Sequence, residues 1–233
     1  MVALTTDQPS ISSNIENTRD KVAEELMSWR EQFTINLAKE ECRHSRQDKY
    51  SVGIIACGGL LDTMAAIRSG LMPIWGCDID PVARLMWRDL VGNECYGDIL
   101  TLPADSIRRP KILKTGLPCL DYSGLGSKLG SKGKTGSLYV KQSEIILRIS
   151  PDAVIIEQSG NAPNINNGDE VRELIRRLED QYFVHTTDRT ENQMGTQYGI
   201  PVWHYGDVTT RVRFFIVGLH HRLGDTAASF HFP

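Results

Sequence analysis

The chain has no C-x-x-C pair, and its five cysteines (Cys42, Cys57, Cys77, Cys95 and Cys119) are scattered and odd in number. Such spacing argues against a zinc site or any other metal centre and against a disulfide framework, and it predicts a reducing, intracellular compartment. No apolar run approaches the roughly 18 residues of a membrane span, so no membrane partner is expected. The polar N-terminal stretch lacks the basic-then-apolar order of a secretory leader. An excess of positive charge is also missing. With 26 Lys and Arg against 29 Asp and Glu, the balance alone does not mark a nucleic-acid binder. Two nucleotide signatures fail as well. The first glycine turn reads A-C-G-G-L-L, which is not G-x-G-x-x-G, and in G-S-K-G-K-T-G-S a phosphate loop would need glycine where Lys128 stands. There is no internal repeat.

What remains is a 233-residue chain of ordinary globular composition, 40% hydrophobic and 24% charged, enough for one sizeable domain. Residues 13–42 carry apolar side chains at helical spacing (Val22, Leu26, Trp29, Phe33, Leu37), with Ser13 and Glu16 set as a capping box. This divides the chain into a polar tail and amphipathic helix, 1–49, and a main domain, 50–233. In the main domain short apolar runs alternate with helical stretches. Strands are predicted at 51–56, 72–77, 111–116, 152–157, 182–187 and 212–218, and helices at 60–68, 81–90, 137–149 and 169–180. Alternation of this kind implies a mostly parallel sheet with helices on both faces and a ligand site at the carboxyl ends of the strands. Two basic groups stand out: Arg108, Arg109, Lys111 and Lys114, then Lys128, Lys132 and Lys134. Either can meet phosphates or remain solvated.

Three features lie in order at predicted strand ends. Cys57-Gly58-Gly59, followed by Leu60, lets the backbone approach a ligand closely. About 20 residues later Asp78-Ile79 offers a carboxylate to ribose hydroxyls. Asp98-Ile99, in G-D-I, adds a second acid. Gly116-Leu117-Pro118-Cys119 then opens a glycine-rich, lysine-containing loop. A thiol at a strand's end, stiffened by proline and covered by a loop, suits a nucleophile, although a free cysteine is commonly a buried structural residue.

The run from Ser51 to Leu219 resembles the cytosine-C5 methyltransferases in sequence and motif order. G-L-P-C-L-D-Y-S at 116–123 resembles the family's G-x-P-C-Q-x-F-S. T-G-S-L at 135–138 resembles R-G-x-L, and Glu157-Gln158-Ser159 resembles E-N-V. Tyr205 to Arg213 resembles Y-G-x-P-Q-x-R-x-R. The resemblance implies a Rossmann-like α/β methyltransferase fold that binds S-adenosylmethionine and releases S-adenosylhomocysteine. Cys57, Gly58, Gly59, Leu60, Asp78, Ile79, Asp98, Ile99 and Pro118 would surround that cofactor. It implies an enzyme that methylates C5 of cytosine in DNA, with Cys119 adding to C6, Glu157 donating to N3, and Arg211 and Arg213 near O2. Because C6 is inaccessible in a stacked duplex, the base must be flipped out. Ser123, Lys128, Lys132 and Lys134 would then lie against the nucleic acid.

The sequence departs from that pattern at several points. Ala56 replaces the first turn glycine, which is tolerated if its backbone angle is ordinary. Leu120, Gln158-Ser159 and Thr209 replace Gln, Asn-Val and Gln. A second Tyr-Gly occurs at 198–199, and only about twenty residues follow Arg213, where the family continues with a recognition region and two last motifs. His220 and His221 read as strand-end surface residues. Two other functions stay open from sequence: the same chemistry on RNA, and an inert methyltransferase-like partner of nucleic acid or of an active homologue. A second chain or a further C-terminal region would complete the domain.

Overall fold

The computed structural model describes residues 50–116, 136–187, 189–192, 195–201 and 211–232. The predicted helix over 13–42, and with it the division at residue 49, lies outside them.

Strands β1 (Ser51–Ile55), β2 (Met72–Cys77), β3 (Cys95–Tyr96), β4 (Ile112–Thr115) and β5 (Ala153–Ser159) are joined in parallel. β6 (Tyr182–Thr186) is followed by a hairpin of β7 (Arg189–Asn192) and β8 (Gly195–Tyr198), by the two-residue β9 (Ile200–Pro201), and by β10 (Val212–His220). The sheet order is β3-β2-β1-β4-β5-β10-β6, with β9 beside the start of β10. β10 runs antiparallel to both β5 and β6, so the sheet is mixed but mostly parallel. Chain order reverses between β1 and β4, which makes their carboxyl ends the switch point where such sheets bind ligands.

Helices cover both faces. On one face lie α1 (Leu61–Arg68) and α2 (Pro81–Leu90); on the other lie α3 (Gly136–Ile149) and α4 (Asp169–Leu178). α2 begins on Pro81, whose missing N–H is harmless at that position, with the Asp80 carboxylate accepting from Val82 N at 2.9 Å. It sits close because Gly76 has no side chain: a Cβ there would meet the Trp87 ring at 2.7 Å. The second layer buries Leu113, Val154, Ile156, Phe214 and Ile216 against Ile145, Ile146, Val171, Leu174 and Leu178. The burial strings of β4 and β5 alternate strictly, so the intervening residues, Ile112, Lys114, Ile155 and Glu157, face the α1 side and are half-buried.

At the opposite end of the sheet, Asp152 gathers Arg109 (3.2 Å), Lys111 (3.0 Å) and Arg222 (2.6 Å), tying the chain after β10 to the entries of β4 and β5. The basic group read as Arg108 to Lys114 is therefore split. Arg109 and Lys111 serve this staple, whereas Lys114 stands on the α1 face nearer the other end. His220 is half-buried and meets Ser150 Oγ at 3.1 Å, and His221 is exposed at the strand end. Short α5 (Asp225–Ala228) follows. Among the described residues no helix is long and apolar enough to cross a membrane.

Candidate active site

β1 ends in a tight turn built from alternate left-handed residues: Ala56 (φ 57°), Gly58 (φ 46°) and Leu60 (φ 67°). The amides of Ala56 and Cys57 both donate to Cys77 O, at 2.7 and 3.3 Å, and Gly58 N donates to Asp78 Oδ2 at 2.7 Å. The turn at β1 and the acid after β2 are thus one hydrogen-bonded unit. The backbone angle of Ala56 is not ordinary but left-handed, which corrects the expectation that alanine is easily tolerated there. In that region an L side chain is strained by about 1–2 kcal/mol.

Around this turn the predicted cofactor residues separate into two kinds. Gly59 is open, with nothing within 4 Å of where a Cβ would stand. Asp78 and Asp98 are half-buried at adjoining strand ends, and Ile79 is 71% exposed. Asp98 accepts from Leu100 N at 2.9 Å, starting a short 3-10 turn. By contrast, the side chains of Cys57, Leu60 and Ile99 are packed inside. Only their backbone faces the turn. Cys57 Sγ lies 3.9 Å from Cys95 Sγ, and the hydrogen bond to Cys95 with burial pushes the Cys57 thiol well up. Burial likewise pushes Cys77, which donates to Gly97 O, up to about 12. The Cys57 and Cys77 thiols are therefore un-ionised at neutral pH.

The other half of the site lies on the α1 face, at the ends of β4 and β5 and the start of β10. Glu157 Oε1 is 3.0 Å from Arg213 Nε, and its Oε2 is 3.2 Å from Lys114 Nζ. Lys114 also ion-pairs with Asp62 in the first turn of α1. Arg211 lines the same cavity of about 480 Å³, whose apolar wall includes Val52, Ile112, Ile155 and Phe215. Register explains the convergence: Glu157 pairs with Phe215 and Ser159 with Arg213, so carboxylate and guanidinium stand near each other on one face. The second Tyr-Gly has a structural place here. Tyr198 N donates to Gly160 O, and Gly199 packs so tightly on the Arg213 backbone that a Cβ would meet Arg213 O at 2.1 Å.

The structure thus brings together Glu157, Arg211 and Arg213. Cys119 and Pro118, together with Ser123, Lys128, Lys132 and Lys134, lie outside the described residues. Lys114 and Asp62 were missed as site residues. The sequence sets Lys114 in a basic group that can meet phosphates or remain solvated, and the strand alternation of I-L-K-T is the signal that turns it inward. Among the described residues no group of three or more His, Cys, Asp or Glu could hold a metal ion.

A family model described as C-5 cytosine-specific DNA methylase matches residues 55–233, which includes every residue of this cavity except Val52. The chain belongs to the C-5 cytosine-specific DNA methylase family. Among curated relatives of this methylase chain, Type II methyltransferase M1.ScrFI of Lactococcus lactis subsp. cremoris is 27% identical over 161 residues, covering 69% of this chain and 39% of that protein. M.MspI of Moraxella sp is 27% identical over 146 residues, covering 62% and 32%. M.HpaII of Haemophilus parainfluenzae is 27% identical over 165 residues, covering 69% and 43%. The chain therefore spans well under half the length of these relatives. Among solved structures, the S. pombe Dnmt2 methyltransferase superposes with a TM-score of 0.54 at 14% identity, over 73% of this chain and 51% of that one. That likeness concerns the methylase fold.

Proposed function

We propose that this chain transfers a methyl group from S-adenosylmethionine to C5 of cytosine in DNA through a covalent adduct of Cys119 at C6. The observation that carries the reading is the Glu157–Arg213 pair on β5 and β10, with Arg211 in the same cavity, next to β4, the strand that leads toward Cys119. The residues at the glycine turn fit the cofactor: two carboxylates beside an open backbone, and an exposed Ile79 to lie against an apolar ring. Arg84, next to them, spends Nη1 on the carbonyls of Asp78 and Ile79. The donor set therefore favours ribose hydroxyls and a cationic centre over phosphate. Asp78, Asp98, Gly58, Gly59 and Ile79 would hold S-adenosylmethionine, with backbone contributions from Cys57, Leu60, Ile99 and Pro118. When bound, the cofactor supplies an electrophilic methyl group on a sulfonium.

The chain's own residues do the rest. Cytosine C5 is a weak nucleophile until a thiolate adds to C6. The new S–C6 bond pushes the ring electrons toward N3 and O2. Glu157 relays a proton from solvent to N3, and the guanidiniums of Arg211 and Arg213 toward O2 stabilise the charge that remains. After C5 is methylated, its proton passes to solvent, the C–H electrons reform the C5–C6 double bond and expel the Cys119 thiolate, and N3 returns its proton through Glu157. Ser123, Lys128, Lys132 and Lys134 would contact phosphates of the strand carrying the flipped base. Such a reaction places the protein inside the cell.

Tritiated methyl transfer from S-adenosylmethionine to mixed-sequence duplex DNA tests this. Removing one transition-state donor typically slows an enzyme by about 100-fold or more, so Glu157→Gln and Arg213→Ala should each lose that much with the melting temperature nearly unchanged. Transfer to RNA but not to DNA would overturn the substrate, and full activity of Glu157→Gln would overturn the assigned roles.

A further inference from the structure

Glu157 is held by two cations, not one. Arg213 Nε engages Oε1, and Lys114 Nζ engages Oε2. Lys114 is the most enclosed member of the group, its side chain 13% exposed against 20% for Arg213 and 28% for Glu157. Its amine is anchored a second time by Asp62, on the helix directly behind the cofactor turn. It also lies beside the exit of β4 toward Cys119, since a Cβ on Gly116 would come 3.0 Å from Nζ. One chain of ion pairs, Asp62–Lys114–Glu157–Arg213, therefore runs from the cofactor helix to the strand that carries Arg213 and directly follows Arg211.

The charges around the cavity decide what this chain does. Lys114, Arg211 and Arg213 stand against Asp62 and Glu157, which leaves one net positive charge in the group. Take the Lys114 ammonium away and the cavity becomes neutral. Asp62 and Glu157 would then share a site without the cation between them, and Glu157 Oε2 would have lost its anchor. A ring that gains negative charge on thiolate addition needs the group that serves N3 to be fixed in place before the charge develops.

We infer that Lys114 is a positioning residue of the methyl-transfer reaction, one that fixes the Glu157 carboxylate against Arg213 and, through Asp62, ties that carboxylate to the cofactor helix. This rests on the cytosine reading above. Lys114 acts through Glu157 and does not touch the base.

The test is single-turnover methyl transfer by the full chain on mixed-sequence duplex DNA, with melting temperatures, for wild type, Lys114→Met, Lys114→Arg, Asp62→Asn, Glu157→Gln and the Lys114→Met/Glu157→Gln double variant. Lys114→Met should lower the maximal rate by about tenfold or more, while the half-saturating S-adenosylmethionine concentration moves by less than about twofold. Lys114→Arg, which keeps charge and donors, should regain most of the rate. Asp62→Asn, which leaves the lysine but removes its anchor, should fall between them and carries the comparison if Lys114→Met melts early. The double variant should be no slower than Glu157→Gln alone, because both changes act on one carboxylate. A Lys114→Met rate within about twofold of wild type overturns the inference. So does a double variant that loses the product of the two single effects, or a Lys114→Arg rate as low as that of Lys114→Met. Wild-type activity with any of these overturns the inference alone, whereas an inactive wild type overturns the cytosine reading and the inference with it.

Discussion

Ala56 shows how one backbone angle can hide in a composition that looks permissive. The sequence places alanine where glycine is usual, and its size suggests tolerance, but the angle is set by two amides reaching back to Cys77 O. At φ 57° the methyl group is strained, while glycine would be free of strain and would lose more entropy on folding. Ala56→Gly should therefore raise the stability to urea by about 0.5–1 kcal/mol, and Ala56→Val should lower it by about 2 kcal/mol, both with an unchanged m-value. A loss of stability in Ala56→Gly would mean that the turn is not left-handed at this residue. Asp78, Glu157 and Arg213 were legible as site residues because the order of short motifs pointed to them. Lys114 was not. Its partners lie 52 and 43 residues away, on α1 and β5, and only the pairing of strands brings them near.

Among the elements, β10 does two jobs at its two ends. Its start presents Arg213 to Glu157. Its far end, with the turn that follows, is fastened to the floor of the sheet by Arg222, Asp152, Ser150 and His220. Burial, helped by Arg222, Arg109 and His221, pushes the His220 ring below its ordinary value. For Asp152 burial acts upward, but the hydrogen bonds from Lys111 and Arg222 outweigh it and hold the carboxyl low. Both groups have folded values below their unfolded ones, so both favour the folded state at neutral pH. The His220 contribution is complete above about pH 6.5 and is lost as pH falls through its folded value; that of Asp152 begins to fade below about 3.8. Thermal melts should thus show a decline that starts below about pH 6.5, and His220→Asn should remove it. A melting temperature that is flat down to about pH 5 in the wild type would contradict this account of the staple. The strand pattern and the parallel core could be read from apolar runs. The β7–β8 hairpin could not, because G-T-Q-Y and R-T-E-N carry no apolar alternation and are held by each other.

For the molecule as a whole, the sheet puts the glycine turn, the two carboxylates and Glu157 toward the carboxyl ends of its parallel strands, with the order reversing between β1 and β4, and the cavity beside Glu157 extends down the α1 face to Val52 and Ile112. The chain belongs to the C-5 cytosine-specific DNA methylase family, and each element would supply one part of the methyl transfer proposed for it. The chain spans about two fifths of the length of these curated relatives. The measurement that bears most directly on the central claim is intact mass after incubation with S-adenosylmethionine and duplex DNA containing 5-fluorocytosine. Fluorine at C5 blocks the final elimination, so the thiol stays attached. The account predicts a stable protein–DNA adduct in the wild type and none in Cys119→Ala. An adduct that persists in Cys119→Ala, or a folded wild type that forms none while still binding the cofactor and DNA, would contradict it.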